Sequence, residues 1–127
     1  MTTPRESGGC HCGDVQFTFQ PPRELIRCNC SICHMAGYLH LIVPESEFTL
    51  STDAKALGSY RFNTGEANHL FCMRCGIKSF YYPRSHPGHV SINARCVDGT
   101  QLRKLPIVEF DGGNWESEID DLRERTR

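Results

Sequence analysis

Eight cysteines in 127 residues are the feature that most restricts what this chain can fold into. Seven of them lie in three short clusters, which are CHC at 10–12, CNCSIC at 28–33 and CMRC at 72–75, and the eighth is Cys96. Short CxC and CxxC turns present two sulfurs each, which suits the tetrahedral coordination of zinc. Gly13 and Gly76 directly follow two of the clusters, and glycine permits the positive φ that such turns often need. The spacing therefore predicts metal binding by at least four of these cysteines.

Charge and the distribution of apolar residues indicate where the protein is located and which partners it lacks. Lys and Arg number 14 and Asp and Glu number 15, for a formal net charge of −1, so no basic surface for a nucleic-acid partner is expected. Residues 1–9 are polar and lack the apolar core of a signal peptide. No segment approaches the roughly 18–20 apolar residues that cross a bilayer. We therefore expect a cytoplasmic protein with no membrane partner, whose thiols stay reduced instead of forming disulfides.

Strand patterns dominate the chain. Apolar and polar residues alternate from Val15 to Phe19, which predicts a half-buried strand. Further short apolar segments also predict strands, and they lie at 25–28, 38–43, 48–50, 57–62, 68–71, 79–82, 90–93 and 107–110. Turn residues separate these segments at short intervals, as in a small all-β domain. We expect one mainly β domain over residues 7–122, with flexible ends at 1–6 and 123–127.

The one convincing helix in the sequence pattern lies near the C-terminus. Trp115, Ile119 and Leu122 recur at helical spacing, and Asn114 is suited to be the N-cap residue. We therefore expect a short C-terminal helix that buries these three apolar side chains.

The economical partition of the cysteines is one site of four thiolates and one of three. The closed, structural site would use Cys10, Cys12, Cys72 and Cys75. The second site would use Cys28, Cys30 and Cys33 and would keep a fourth position for water or substrate, as catalytic zinc does. An alternative from spacing alone is that the second site is closed by Cys96, His34 or His40. Cys96 is otherwise interpreted as a buried thiol at the end of a strand.

The segments GGCHCGDVQF, RCNCSICH and FCMRCG, in this order, resemble the glutathione-dependent formaldehyde-activating enzyme family. The segment FNTGEANHLFCMRCGIKSFYYPRSHPG is similar to the branch of that family that contains centromere protein V. The resemblance extends over about residues 9–115. It implies an Mss4-like fold, also called a β-tent, with two zinc ions per chain. It also implies a structural zinc on Cys10, Cys12, Cys72 and Cys75, and a catalytic zinc on Cys28, Cys30 and Cys33.

The resemblance further implies a carbon–sulfur lyase that condenses glutathione with formaldehyde, or a related small carbonyl, to S-hydroxymethylglutathione. Glutathione carries net negative charge, so its carboxylates need cationic partners. The predicted glutathione contacts are Arg84 and Asn93, with Lys78, Arg95 and Tyr82 as further candidates. His34 and His69 lie near the cysteine clusters and are candidate proton carriers, because histidine titrates near neutrality.

Other classes of function remain open from the sequence. Three thiolates donate much charge to zinc and make it a poor Lewis acid, so the site is also compatible with a non-catalytic carrier of glutathione or its adducts. A zinc-stabilised interaction domain is a further alternative. A methionine sulfoxide reductase would need a reactive cysteine away from the metal, and Cys96 is the one candidate.

Overall fold

The described part of the chain contains ten short strands, one six-residue α-helix and further helical residues at 119–120 and 122–123. The structure is a computed structural model that describes residues 5–21, 24–29, 31–61, 68–83, 86–97, 105–110, 119–120 and 122–123. The elements are β1 (Glu6–Gly9), β2 (Gln16–Phe19), β3 (Leu25–Cys28), α1 (Ser31–Ala36), β4 (Leu39–Pro44), β5 (Phe48–Leu50), β6 (Leu57–Tyr60), β7 (Asn68–Cys72), β8 (Phe80–Tyr82), β9 (His89–Asn93) and β10 (Ile107–Phe110). Single 3₁₀ turns occur at Glu45–Glu47, Ala54–Ala56 and Ala94–Cys96.

The strands form two sheets. The smaller has the order β1-β2-β5, and the larger has the order β10-β3-β4-β9-β8-β7-β6. The pairing of β10 with β3 is parallel, and every other pairing between described strands is antiparallel. The mainly β fold is therefore confirmed. Within the described ranges, no helix is long and apolar enough to cross a membrane.

Each predicted strand segment overlaps an observed strand, but two elements were not predicted. Strand β1 contains Gly8 and Gly9, and glycine has low strand propensity. It is held by pairing with β2 and by a bridge from Gly8 to Val97. Helix α1 spans six residues, which is too short for an apolar period to show in the sequence. Strand β1 therefore depends on tertiary pairing, whereas α1 is simply too short to leave a periodic pattern.

The apolar side chains form two cores, one on each face of the larger sheet. The main core lies between the sheets and contains Val15, Phe17, Phe19, Leu25, Leu41, Val43, Leu70, Cys72, Phe80, Val90 and Ile92. The second core contains Ile26, Ile42, Phe110, Ile119 and Leu122. Ile119 and Leu122 are helical and buried, as expected for the C-terminal helix. Trp115 and Asn114 lie outside the described residues.

The larger sheet also carries buried polar side chains on the face of the second core. Successive residues of a strand point to opposite faces, so His40 shares a face with Ile42. Ser91 lies opposite Ile42, Tyr81 lies opposite Ser91, and His69 lies opposite Tyr81. His40, Ser91, Tyr81 and His69 are all buried, with at most 7% of any one of them exposed. We call these four residues the polar face.

Candidate metal centre and thiol site

Cys10, Cys12, Cys72 and Cys75 converge into one cluster. Their sulfur atoms all lie within 4.8 Å of one another, and no other group of three or more metal-ligand side chains is found among the described residues. The sulfur of Cys12 is 3.6 Å from that of Cys10 and 3.6 Å from that of Cys72. Four sulfurs around one zinc, with bonds of about 2.3 Å, lie about 3.8 Å apart. The cluster therefore fits a tetrahedral metal ion.

The turns that carry these sulfurs have the conformation that the glycines predicted. Gly13 has a φ of 88° and Gly76 a φ of 78°, both in the left-handed region that favours glycine. In the second turn the N–H groups of Arg74 and Cys75 donate to the Cys72 sulfur at 3.3 and 3.4 Å. Backbone donors pointing at a sulfur favour its thiolate form, which is the form that binds a metal.

The thiols of the cluster differ in pKa. The backbone amide of Ile77, followed by that of Cys12, lowers the pKa of the Cys75 thiol to about 6. The backbone amide of Asp14 lowers the pKa of Cys12, but burial and the neighbouring sulfurs outweigh it and raise that pKa to about 12. Four adjacent thiolates repel one another, so without a cation Cys12 favours its protonated form. A divalent metal offsets this repulsion, so all four cysteines can bind it as thiolates.

The second cysteine region is assembled from β3 and α1. Cys28 ends β3 and is half-buried, Cys33 lies in α1 and is buried, and Cys30 lies outside the described residues. Helix α1 ends at Ala36 and is followed by Gly37, which has a φ of 63°. The N–H of Tyr38 donates to the Cys33 carbonyl at 3.0 Å, as in a Schellman cap. This cap turns the chain from α1 into β4, while His34 stays exposed.

The Cys33 side chain meets the polar face through a histidine. The sulfur of Cys33 lies 3.2 Å from His40 Nε2, and both side chains are buried. On the other side of the ring, Nδ1 lies 2.7 Å from Ser91 Oγ and 3.5 Å from the Tyr81 hydroxyl. The Tyr38 hydroxyl donates to the Ser91 carbonyl at 2.6 Å, and its ring centroid lies 4.6 Å from that of His40. Contacts at both ring nitrogens and at the ring face therefore fix the orientation of His40.

Lys78 adds a positive charge next to the polar face. Its Nζ lies 2.6 Å from His69 Nδ1 and 4.1 Å from the centre of the Tyr81 ring. It also lies 4.9 Å from the centre of the Tyr38 ring. Aromatic rings attract a cation through their electron-rich faces. The half-buried Lys78 is thus held beside Tyr38 and Tyr81, the two rings that also pack against His40.

The predicted glutathione contacts have different surroundings. Arg84 lies outside the described residues. The buried Asn93 donates from its amide nitrogen to the Lys78 carbonyl at 3.1 Å, and its amide oxygen accepts from the Arg95 N–H at 3.1 Å. Arg95 is exposed, and Tyr82 packs against the main core on the other face of the sheet. Their contact with glutathione stays a prediction.

Cys96 lies in the 3₁₀ turn after β9 and is half-buried. Burial, followed by the charges of Cys10 and Cys75, raises the pKa of its thiol to about 11. A cavity of about 610 Å³ runs between β1 and this turn, and Gly8, Cys10 and Cys96 are among its lining residues. The lining includes neither described cysteine of the second region, so this cavity lies beside the four-cysteine cluster instead.

Sequence reasoning named His40 only as one possible ligand and did not single out Ser91, Tyr81 or Tyr38. The available signal was the alternation in HVSIN of β9, where Ser91 and Asn93 occupy one face. Such polar positions normally face solvent in a half-buried strand, yet Ser91 is fully buried here and Asn93 is 6% exposed.

Comparison with known proteins agrees with this geometry. The model of the family described as glutathione-dependent formaldehyde-activating enzyme matches residues 5–110. A crystal structure of a Rhodobacter sphaeroides protein is similar to this chain, with 30% sequence identity and a TM-score of 0.71. That similarity covers 80% of this chain and 99% of the other. With its fold, its four-cysteine cluster and a family match over most of its length, the chain belongs to the glutathione-dependent formaldehyde-activating enzyme family.

Proposed function

We propose that this protein condenses glutathione with formaldehyde, or a related small carbonyl, to S-hydroxymethylglutathione at a zinc site formed by Cys28, Cys30 and Cys33. The family match supports the substrate class. The observation that carries the proposal is the contact between the Cys33 sulfur and His40 on the buried polar face. We also infer that a protein with this many metal-ligand thiols works in the reducing cytoplasm.

The donor set supports two metals with different tasks. Cys10, Cys12, Cys72 and Cys75 supply all four ligands of a closed, structural site. Cys28, Cys30 and Cys33 supply three thiolates to the second site, so one position is left for a substrate thiol. Zinc bound there would supply a Lewis acid that favours the thiolate form of that substrate.

The chain's own residues then hold the peptide and the sulfur. The Lys78 ammonium is oriented by His69 and two aromatic rings, and we assign it to a glutathione carboxylate. His40 contacts the Cys33 sulfur and so supports one wall of the site. In the proposed reaction the glutathione sulfur loses its proton and bonds to the carbonyl carbon. The carbonyl oxygen takes up a proton and becomes the hydroxyl of the product.

The test is the rate of adduct formation, measured by exchange NMR with glutathione and formaldehyde at equilibrium. We expect the native protein to raise the exchange rate above that of the uncatalysed reaction. Cys30→Ser should abolish the increase, while Cys96→Ser, which removes the cysteine outside both proposed sites, should retain it.

Calorimetry with glutathione separates the alternatives. Binding without any rate increase would identify a carrier of glutathione or its adducts and would overturn the enzyme proposal. Absence of both binding and rate increase would overturn glutathione recognition as well and favour an interaction domain.

A further inference from the structure

Which atom donates the hydrogen bond between Cys33 and His40 depends on where the protons lie. A neutral imidazole carries its hydrogen on one nitrogen and accepts with the other. A metal-bound cysteine is a thiolate and can only accept a hydrogen bond. When Cys33 is a ligand, His40 Nε2 must therefore carry the hydrogen and donate to the sulfur, 3.2 Å away.

The other nitrogen of the ring has suitable partners for this state. Nδ1 must then accept, and two hydroxyl groups lie near it, Ser91 Oγ at 2.7 Å and the Tyr81 hydroxyl at 3.5 Å. A hydroxyl can rotate its hydrogen toward an acceptor. In this state the polar face would provide a continuous donor chain from Ser91 through His40 to Cys33.

We propose that His40 is a positioning residue that donates Nε2–H to the Cys33 thiolate and thereby strengthens the hold of the metal on its fourth ligand, a thiol. The proposal rests on the proposed function, because it takes Cys28, Cys30 and Cys33 as the ligands. A hydrogen bond draws charge from the thiolate, so the sulfur donates less to the metal. The metal then attracts an incoming thiolate more strongly, which offsets the weak Lewis acidity of a three-thiolate site.

Direct ligation by His40 is the competing role. In that case Nε2 would have no hydrogen and Nδ1–H would donate to Ser91. A sulfur and a nitrogen bound to one tetrahedral zinc lie about 3.5 Å apart, given bonds of about 2.3 and 2.0 Å. The observed separation of 3.2 Å is shorter and suits an N–H···S hydrogen bond. His40 as a fourth protein ligand would also close the site to substrate.

The test uses the full-length protein loaded with Co²⁺, whose sulfur-to-metal charge-transfer bands report how strongly the thiolates donate. His40→Phe keeps a ring in the aromatic surroundings and removes both nitrogens. His40→Gln places an amide N–H near the position of Nε2. His69→Phe is the matched control, because it makes the same change on the same polar face.

Without added thiol, we expect His40→Phe to move the charge-transfer band to lower energy, because the unassisted thiolate donates more strongly. The dissociation constant of 2-mercaptoethanol, which has no carboxylate for Lys78 to bind, should rise about 10–100-fold in the His40→Phe protein. His40→Gln should recover most of both properties, and His69→Phe should leave the band where it is in the native protein.

Three results would overturn the role of His40 as a donor. The first is a His40→Phe protein with unchanged band and unchanged affinity for 2-mercaptoethanol, since His40 would then serve packing alone. The second is a nitrogen ligand at the second site in the X-ray absorption spectrum of the native protein, which would make His40 a ligand. The third is a His40→Gln protein that behaves like His40→Phe.

A replacement variant and the metal content of the native protein complete the test. If circular dichroism shows that His40→Phe does not fold, Ser91→Ala replaces it, and a band in the native position would then contradict the donor chain. The metal content separates this inference from the proposed function. One metal per native chain would contradict the proposed function, whereas two metals with no effect of the His40 variants would contradict only the inference.

Discussion

The four-cysteine cluster and the Cys28–Cys33 region differ in where their sulfurs find support. In the cluster, Cys12 and Cys72 are 60 residues apart in sequence, yet each sits in a short turn of its own. Backbone N–H groups donate to the Cys72 sulfur in one turn and to the Cys10 sulfur in the other. In the second region the Cys33 sulfur contacts a side chain, that of His40, which belongs to a different element.

The comparison shows two ways of preparing a thiolate. Backbone donors come with the turn itself, so a CxxC motif followed by glycine carries its own support. The support of Cys33 instead needs α1, β4, β8 and β9 in register, because His40 is oriented by Ser91 and Tyr81. The first arrangement suits a structural metal, and the second suits a site whose electronic properties are adjusted by its surroundings.

Removing a ligand of the four-cysteine cluster is expected to have the largest effect. Cys72→Ser should leave the protein unfolded or aggregated, because structural metal binding contributes directly to the free energy of folding. Cys72 is also 1% exposed and part of the main core. Circular dichroism and size-exclusion chromatography check this, with Cys96→Ser as the folded control. A soluble, native-like Cys72→Ser protein would remove the structural role of the cluster.

The matching change in the second region should preserve the fold. Cys30→Ser is expected to lower the zinc content from about two ions per chain to about one, while the circular dichroism spectrum stays native. Elemental analysis of the purified protein measures the metal content. If Cys30→Ser unfolds the chain as Cys72→Ser does, the contrast between a structural and a catalytic site would be wrong.

A chelator should remove metal from the two cysteine regions at different rates. We expect the three-thiolate site to lose its metal first, because its fourth position is accessible, so Cys28 and Cys30 should react with iodoacetamide before Cys10 and Cys12. Cys96 serves as the internal reference. With a thiol pKa of about 11, raised by burial and by nearby cysteines, it stays protonated and slow at pH 7.5 and reacts faster as the pH rises.

Peptide mass spectrometry at successive times gives the order of labelling. Equal rates in both regions would mean that the two sites do not differ in accessibility. Labelling of Cys96 at pH 7.5 as fast as Cys28 would contradict its protonated, shielded state.

The smallest effect is expected at the edge of the second region. Arg27 of β3 and Glu109 of β10 are paired in register, one position before Cys28 and Phe110, and their side chains form an ion pair. Both are more than half exposed, so solvent screens the attraction. Glu109→Gln should leave the melting temperature and the metal content unchanged within error. A loss of metal on this change would show that the ion pair supports Cys28 directly.

Local patterns in the sequence predicted most of the fold. The alternation from Val15 to Phe19 and the apolar segment at 107–110 each became a strand, because a half-buried or buried strand has a characteristic spacing of apolar residues. The same approach missed β1 and α1. Strand β1 depends on its pairing with β2 and its bridge to Val97, and α1 spans only six residues, too few for an apolar period to show.

By itself the sequence determined the four-cysteine cluster and the family, because short turns bring sulfurs close and leave a recognisable spacing. The tertiary structure alone decided that His40, Ser91 and Tyr81 share a buried face beside Cys33. These residues come from three strands, and the sequence separation between His40 and Ser91 is 51 residues. Strand register, which is set by the packing of both sheets, places them together, and no local spacing encodes that register.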